Sequence, residues 1–390
     1  MKVLIVTGEY PPMQGGVGDY TKELALAFLR EGVETHVFTR MLVRPPVALP
    51  GIVIHVFEGK WGWNTLLGVR KVVQAVEPDA VQIQYQAAAY GMHPSVYLLP
   101  RFLRAFGHVG IVSVTFHDLL VPYLFPKAGR LRWAAVLELA KGSHFPVTTN
   151  PEDTSRLSGA LPNARVVEIP IGSNIRPSTP DQYDRSVWRK EHGYGESDCL
   201  LVYFGFLNAS KGSEFLVKAF ADLRKRGMPV KLLMLGGRTG SSDPTNVAYA
   251  RKVENLITEL GVREYIRWTG FLPAEEVSAW MLAADVAVLP YRDGVSYRRG
   301  SFMAALAHGL PIVTTEPRLP QPGLEDGVNV LLVPAGNVRR LSDAVSRLCS
   351  SRETRELLSR GAKELSTKFS WNRIAQQYLD AYAKFLHIER

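Results

Sequence analysis

The chain contains 390 residues, of which 46% are hydrophobic and 21% charged, and it carries a formal net charge of +9. This length predicts two domains of about 170–200 residues each, and the composition excludes a disordered or fibrous chain. The longest apolar runs, such as LLVYFGFL, are strand-sized and well below the roughly 18 residues of a membrane span. The basic residues form no long run interleaved with aromatic residues, which argues against nucleic-acid binding. They suit an anionic small ligand, an acidic membrane surface or a merely basic solvated surface.

The first half of the chain alternates strand-like runs with helical patterns. The runs are KVLIVT, THVFT, GIVIHVF, AVQIQY, GIVSVTF and ARVVEIP. Between the first two, Tyr20, Leu24, Ala27 and Phe28 recur at helical spacing on one face. This alternation predicts an α/β domain with a parallel sheet covered by helices on both sides. The first run lacks the length and cleavage site of a secretory signal, and the two cysteines are 150 positions apart, so we expect a cytoplasmic protein without a disulfide.

The alternation of strands and helices is interrupted at PSTPDQYDRS, which predicts a linker. A second series of strands begins after it. Its runs are CLLVYFGF, VKLLMLGG, YIRWTG, VAVLPY, PIVTT and VLLVP. The chain ends in a helical pattern with Ile374, Tyr378 and Tyr382 on one face. We therefore predict a first domain over residues 1–172, a linker over 173–197, a second domain over 198–370 and a terminal helix over 371–390.

Glycines cluster directly after strands, where open α/β sheets bind their ligands. Gly15, Gly16 and Gly18 follow the first strand and precede a helix expected from Tyr20. Amides at such a helix start can bind an anion, and a simple tight turn is the alternative. The pattern is not a dinucleotide fingerprint, because a third glycine is missing and the second strand ends in Arg40, where an acid would bind ribose. A hydride-transfer enzyme is therefore disfavoured.

The second half repeats this arrangement of small residues at strand ends. Gly205 ends a strand and Lys211 precedes the next helix, a position that suits a bound phosphate or, alternatively, a solvated surface lysine. Gly236, Gly237 and Gly270 follow two further strands. Several strand ends that allow a ligand to approach closely are stronger evidence for a binding site than any one of them.

Taken in order, these segments resemble the retaining GT-B glycosyltransferases of family 4 over almost the whole chain. The matching segments are EYPPMQGGVGDYTKELALAFLREGVETHVFT, TFHDL, TTN, IPIGSNI, FGFLNASKG, LGG, WTGFLPAEEVSAWMLAADVAVLPY, HGLPIVTT and NVLLVPAGNVRRL. The resemblance implies two facing Rossmann-like domains with parallel sheets and a ligand cleft between them. It also implies that the acceptor binds mainly to the first domain, that the donor binds to the second, and that the terminal helix crosses back to the first.

The resemblance also implies roles for individual residues. His117 corresponds to a histidine near the donor sugar, which we expect to donate a hydrogen bond to a sugar hydroxyl, although a histidine closing a strand is the alternative. Lys211 corresponds to the lysine that contacts the donor diphosphate. The other donor-side positions are Gly15, Gly16, Gly205, Gly237, and Gly270 with Leu272 in the loop that receives the nucleobase. The acceptor-side candidates are Asp19, Asp118 and Asn150, of which the two aspartates are alternatively helix caps.

Two departures from the family pattern are evident. Phe206 stands where the family usually has an arginine that binds phosphate. Ser296 and Ala304 stand where it usually has two glutamates separated by seven residues, the first beside the donor sugar and the second on the ribose. We predict that Arg298 and Arg299, followed by Gly300 and Ser301 at the start of a short helix, bind the diphosphate with guanidinium groups and free backbone N–H groups. One of the two arginines would supply the charge that Phe206 lacks. Two solvated loop arginines are the alternative.

The predicted function is retaining transfer of a sugar from a nucleotide-diphosphate sugar to a hydroxyl acceptor, with no metal or other cofactor. The acceptor is a glycan, a lipid-linked molecule or a small molecule. Two alternatives are a non-catalytic nucleotide-sugar-binding partner protein, favoured by the missing acids, and a sugar-nucleotide epimerase of the same fold. Basic and aromatic residues on two helical segments predict either ordinary solvated surfaces or peripheral contact with the inner face of a membrane. These residues are Arg101, Arg104, Lys127, Arg130, Arg132 and Trp133.

Overall fold

The structure, a computed structural model, describes residues 1–13, 15–41, 44–106, 110–119, 129–238 and 244–389. The chain divides into two compact units. The first contains Met1–Asn174 together with Ser370–Arg390, and the second contains Ile175–Phe369.

The first unit contains a seven-stranded parallel sheet in the order β3-β2-β1-β4-β5-β6-β7. Its central strands are buried along their whole length, as expected for a parallel sheet with helices on both faces. The strands are β1 (Lys2–Thr7), β2 (Glu34–Met41), β3 (Ile52–Glu58), β4 (Ala80–Tyr85), β5 (Ile111–Phe116), β6 (Phe145–Thr148) and β7 (Val167–Glu168).

Helices cover both faces of this sheet. They are α1 (Gly16–Arg30), α2 (Trp63–Val76), α3 (Ser95–Phe106), α4 (Gly129–Gly142) and α5 (Pro151–Ala160). Residues of α2 to α5 share one hydrophobic core with the sheet, whereas α1 contributes to a separate core on the opposite face. The predicted apolar face of α1 is confirmed, since Tyr20, Leu24, Ala27 and Phe28 are all buried. The helix begins at Gly16 and not at Tyr20, so the glycine loop forms its first turn.

The second unit contains a six-stranded parallel sheet in the order β10-β9-β8-β11-β12-β13. Its strands are β8 (Cys199–Phe204), β9 (Val230–Leu235), β10 (Ile266–Trp268), β11 (Val286–Leu289), β12 (Ile312–Thr315) and β13 (Leu331–Val333). Its helices are α6 (Arg185–Glu191), α7 (Ser213–Lys225), α8 (Pro244–Glu259), α9 (Ala274–Ala283), α10 (Gly300–Ala307), α11 (Val338–Ser350) and α12 (Arg352–Ser366). The predicted α/β class with two Rossmann-like parallel sheets is therefore confirmed.

The segment predicted as a linker contains α6, which packs on the second unit. The buried guanidinium of Arg189 donates to Asp285 at 2.8 Å, and Arg185 donates to the other oxygen of the same carboxylate at 2.6 Å. Just before this helix, the Tyr183 hydroxyl donates to the carbonyl of Ala279 at 2.9 Å. These contacts fix residues 183–189 to the second unit.

The last helix, α13 (Trp371–Glu389), packs on the first unit beside α1. The Tyr378 hydroxyl lies 3.1 Å from the Tyr20 hydroxyl and 2.7 Å from Thr115 Oγ1, and all three side chains are buried. One turn further along, Tyr382 donates to Gln82 at 2.8 Å, and Gln82 donates to Thr115 at 2.8 Å. A continuous chain of buried polar groups therefore joins α1, the sheet and α13.

The prediction of a protein without a disulfide is wrong for this structure. Cys199, the first residue of β8, is bonded to Cys349 near the end of α11, with their Cα atoms 5.7 Å apart. The error arose because separation along the sequence was taken as separation in space. In a parallel sheet with crossover helices, the start of a strand and the end of a helix meet at the same edge. Among the described residues, no helix combines the length and apolar character that crossing a membrane requires.

Candidate active site

The carboxyl edge of the second sheet brings Gly205 and Lys211 together. Gly205 follows β8 in a left-handed conformation with φ of +112°, and a side chain there would collide with the Lys211 ammonium. The left-handed backbone conformation requires glycine. The sequence therefore selects a residue that lets the lysine fold back over the end of the strand.

A short 3-10 turn, Ala209–Lys211, fixes the backbone of this lysine. Asn208 caps the turn, since its Oδ1 accepts from the Lys211 amide at 3.1 Å and from the Ser210 hydroxyl at 2.8 Å. Gly212 then adopts a φ of +66°, which lets α7 begin directly afterwards.

The Lys211 ammonium is half-buried and has no hydrogen-bonding or ionic partner among the residues that the structure describes. Burial, with a smaller contribution from the positive charge of Arg299, lowers the pKa of Lys211 to about 8. A desolvated cation without a counter-ion raises the affinity of this point for an anion.

The loop between β11 and α10 adds two arginines to this edge. Arg299 forms an ion pair with Asp293, donates to Ser210 Oγ at 3.3 Å, and lies over the Tyr291 ring at 4.8 Å. Arg298 lies 3.8 Å from the other oxygen of Asp293. Three cations, counting Lys211, are therefore accompanied by one carboxylate.

Two buried polar atoms in this loop lack a hydrogen-bond partner among the described residues. They are Nε of Arg299 and Oγ of Ser296. Neither donor is satisfied by the described protein atoms, so both can serve another hydrogen-bond acceptor. Ser296, which the resemblance aligns with the first of two glutamates, presents a hydroxyl. Ala304, at the second position, is buried inside α10 and presents no polar group.

The start of α10 coincides with the prediction. Gly300 is its first residue and is exposed, and a side chain added there would meet nothing within 4 Å. The Ser301 hydroxyl is paired with that of Tyr291 at 2.8 Å. Ser301 therefore holds the helix start against β11, and the exposed backbone at Gly300 is the part open to a ligand.

The remaining predicted donor positions lie on the neighbouring strands. Gly236 and Gly270 face each other in an isolated bridge after β9 and β10, both with positive φ. Gly237 follows directly, and the exposed Phe271 with the half-buried Leu272 leads into α9. The second unit thus brings all its predicted donor residues to one edge of its sheet.

In the first unit, Glu9 changes the prediction for the glycine loop. Its Oε1 accepts from the amides of Val17 at 3.0 Å and Gly18 at 3.2 Å, and a side chain at Gly15 would collide with this carboxyl group. The amides expected to meet a ligand anion are therefore satisfied by the protein's own carboxylate. Burial raises the pKa of Glu9, while the two amides and Arg40 oppose the shift. The sequence reasoning missed Glu9, whose only signal was an acid two residues after a strand that leads into glycines.

His117 follows β5 and is held in a defined orientation. Its Nε2 lies 2.8 Å from Oε1 of Gln84, and its ring meets that of Tyr20 edge-on at 4.6 Å between centroids. Burial lowers the pKa of His117 to about 3, so the ring is neutral. With Nε2 donating to the Gln84 oxygen, Nδ1 is an acceptor. The ring would therefore accept a hydrogen bond from a sugar hydroxyl, where the sequence reasoning expected it to donate one.

The acceptor-side candidates have different environments. Asp19 lies in the first turn of α1. Desolvation of its carboxyl by surrounding protein atoms raises the pKa of Asp19 to about 6. The charge of Lys22 opposes this rise, and the charge of Glu9 adds to it. Asp118 is half-buried directly after His117. Asn150 is a helix cap, because it accepts from the Asp153 amide at 2.9 Å and donates to the Asp153 carboxylate at 2.8 Å. Asn150 thus has a structural role at the start of α5.

Asn174, the last residue of the Met1–Asn174 segment of the first unit, contacts Gly16. Asn174 Nδ2 donates to the Gly16 carbonyl at 3.1 Å, which holds the glycine loop from its exposed side. Among the described residues, no group of three or more histidine, cysteine, aspartate and glutamate side chains is arranged to hold a metal ion.

Comparison with known proteins adds a similarity in sequence. Residues 198–351 match the sequence model of a family described as "Glycosyl transferases group 1". The matched residues include Gly205, Lys211, both loop arginines and the whole of α10.

Relatives extend the similarity along the chain. A D-inositol 3-phosphate glycosyltransferase from Xylanimonas cellulosilytica is 27% identical over 95% of this chain and 92% of its own length. A GDP-mannose-dependent alpha-(1-6)-phosphatidylinositol monomannoside mannosyltransferase from Mycolicibacterium smegmatis is 26% identical over 89% of this chain and 88% of its own. The similarity to these relatives therefore includes the first unit as well as residues 198–351.

Solved structures establish the fold as GT-B. Sucrose-phosphate synthase from Thermosynechococcus elongatus superimposes with a TM-score of 0.78 at 20% identity, covering 100% of both chains. Anabaena HepE, solved in complex with UDP and glucose, gives a TM-score of 0.75 at 18% identity over 98% of this chain and 100% of its own. Together with the matched residues, these similarities support a glycosyltransferase.

Proposed function

We propose that this glycosyltransferase transfers a sugar from a nucleotide-diphosphate sugar to a hydroxyl acceptor with retention of anomeric configuration. The observation that carries the proposal is a group of three cations, Lys211 before α7 and Arg298 and Arg299 before α10. Among the described residues, Asp293 is the carboxylate that pairs with this group. A diphosphate brings the negative charge that this group lacks. Its oxygens can also accept from the unpartnered Nε of Arg299 and hydroxyl of Ser296.

The main electrostatic demand of the reaction is stabilisation of the departing diphosphate. As the bond between the anomeric carbon and the phosphate oxygen breaks, negative charge grows on the nucleotide and positive charge on the sugar ring. Fixed cations and the amides at the start of α10 stabilise the developing negative charge without reorganising. The leaving phosphate oxygen takes the proton of the acceptor hydroxyl, which attacks from the same face. No protein carboxylate is needed in this step, so Ser296 and Ala304 are compatible with catalysis.

The same cations are proposed to make a divalent metal unnecessary. A metal ion would otherwise neutralise the diphosphate, and here that charge is supplied by Lys211 and the arginines. His117, neutral and oriented by Gln84, is proposed to accept a hydrogen bond from a hydroxyl of the donor sugar. A neutral ring at this point avoids repulsion with the positive charge that develops on the sugar.

The test has a binding stage and a turnover stage. The first is a thermal-shift panel of UDP-, GDP-, ADP- and TDP-sugars in EDTA, since a ligand that binds the folded state raises its melting temperature. The selected donor is then incubated with hydroxyl acceptors. Inositol phosphate is included because one relative is a D-inositol 3-phosphate glycosyltransferase. The anomeric configuration of the product is determined by NMR. Transfer with retention in EDTA is the expected result. No shift with any donor, transfer with inversion, or a strict metal requirement would each contradict the proposal.

The missing glutamates favour one alternative, a non-catalytic nucleotide-sugar-binding protein. It shares the expected thermal shift but predicts that a bound donor is neither transferred nor slowly hydrolysed. A donor that shifts the melting temperature and survives prolonged incubation with every acceptor would support this alternative.

A further inference from the structure

Helices α2, α3 and α4 lie next to one another on one face of the first sheet, with α3 contacting both neighbours. Their inner residues, including Val69, Leu99 and Leu139, belong to the core on that face. Their outer residues form the surface that we call the α2–α4 face. None of the residues proposed for sugar transfer belongs to these three helices.

The three helices of the α2–α4 face carry a local surplus of positive charge. The three helices contain seven basic residues and one acid, a surplus of six, compared with +9 for all 390 residues. The single acid, Glu138, is paired with Arg101 of the adjacent helix, with a second contact at 3.2 Å. The basic residues are Arg70, Lys71, Arg101, Arg104, Arg130, Arg132 and Lys141.

The same helices expose large apolar side chains. The exposed fractions are 53% for Trp63, 52% for Leu67, 43% for Leu98, 52% for Phe106 and 76% for Leu131. On the opposite side of the sheet, α1 and the described side chains of α13 expose no large hydrophobic residue. Single exposed apolar residues are common, but such a one-sided set marks an interaction surface.

The apolar and basic residues are interleaved along each helix. Leu98, Arg101 and Ala105 follow one another at helical spacing on α3, and all three are exposed. Trp63, Leu67 and Lys71 do the same on α2 at intervals of one turn. This pattern is typical of helices that lie at the level of lipid headgroups, where cations meet phosphates and Trp, Phe and Leu enter the acyl boundary.

We propose that the α2–α4 face binds the surface of an anionic lipid bilayer, so that this enzyme works as a peripheral membrane protein. Charge decides between a bilayer and a second copy of the chain. Two copies that met through this face would each bring a surplus of six positive charges, which opposes association, whereas an anionic bilayer neutralises them. The face lies flat on the surface, and none of its helices enters as a span.

The experiment is co-sedimentation of the full chain with vesicles of phosphatidylcholine, alone or mixed with phosphatidylglycerol. We expect binding to the mixed vesicles only, weakened at about 1 M salt, where charge is screened within about 3 Å. The first test variant combines Lys71→Gln, Arg104→Gln and Arg130→Gln, one exposed cation per helix. Since each cation contributes about a fivefold increase in affinity, this variant should bind about 100-fold more weakly.

The control combines Arg339→Gln, Arg340→Gln and Arg360→Gln, exposed cations on α11 and α12 of the second unit. It changes the net charge by the same amount and should bind like the wild type. A second test variant, Leu67→Gln with Leu131→Gln, keeps every charge and should also reduce binding, because it removes the apolar contact.

Several outcomes would overturn the proposal. They are equal binding to neutral and anionic vesicles, absence of binding, or an equal loss in the control variant. Analytical ultracentrifugation provides a further test. A wild-type dimer that dissociates in the test variants would show that the face is a subunit interface and would also overturn the proposal. Thermal melting of each variant verifies folding, and the two test variants are independent, so failure of one to fold leaves the other decisive. Vesicle binding requires no turnover, so its result is separate from the test of sugar transfer.

Discussion

Replacing Lys211 by methionine should weaken donor binding and remove a pH dependence. The methionine keeps most of the length of the side chain and removes its charge. A hydrogen bond between charged partners contributes about 1.5–3 kcal/mol, which corresponds to a roughly 10- to 150-fold loss of donor affinity. Isothermal titration with the nucleotide diphosphate at pH 7 measures this directly.

The lowered pKa of Lys211 gives the prediction its sign. The ammonium is charged below its pKa of about 8 and neutral above it, and the donor diphosphate binds the charged form. In the wild type, kcat/KM should therefore fall as the pH rises through about 8, because this parameter reports the free enzyme. The fall in kcat should occur at a higher pH than the fall in kcat/KM, because a bound diphosphate stabilises the ammonium.

Two further variants separate charge from structure. Lys211→Arg should retain part of the affinity but lose the alkaline fall, because a guanidinium stays charged throughout this range. Lys211→Met should melt at a higher temperature than the wild type at pH 7, since it removes a desolvated cation without a partner. Unchanged donor affinity in Lys211→Met, or the same alkaline fall in Lys211→Arg, would refute the assignment of Lys211 to the diphosphate.

Three other changes test the structure around the site. Glu9→Ala leaves the two amides at the start of α1 without their acceptor, so the free energy of unfolding in urea should fall by about 1–2 kcal/mol, and an unchanged value would contradict this capping role. Combining Cys199→Ser with Cys349→Ser removes the disulfide that closes a loop of 150 residues, and the free energy of unfolding should fall by up to about 5 kcal/mol. Dithiothreitol should lower the stability of the wild type and leave that of this variant unchanged. Tyr378→Phe breaks the polar chain between α1 and the sheet and should lower the free energy of unfolding in urea by about 1–3 kcal/mol. Tyr265→Phe, at a half-buried tyrosine of the second unit, is the comparison.

The sequence predicted the fold well for a physical reason. Strands of a parallel sheet are buried on both faces, so β8 and β11 appear as uninterrupted apolar runs. The helical periodicity of α1 and α13 was equally clear, because one face of each is in the core. Gly205 drew attention because a glycine directly after a strand predicts a backbone that other residues rarely adopt, and its φ of +112° agrees with this.

What the sequence did not reveal depends on contacts between distant segments. Glu9 caps a helix that begins several residues later, and an acid after a strand gives no sign of which amides it will meet. The direction of the His117 hydrogen bond is set by Gln84 of the neighbouring strand. The disulfide joins residues whose proximity depends on the complete second sheet. Each of these features needs the three-dimensional arrangement of elements that are separately predictable.

The position of α13 has a consequence for synthesis of the protein on the ribosome. The first unit needs this helix to cover the sheet face that contains Val3 and Ile5 and to satisfy the buried hydroxyls of Tyr20 and Thr115. These partners are translated only after the whole second unit. The second unit is continuous in sequence and can be completed first, so the part of the protein that is made earliest is the last to reach its final structure.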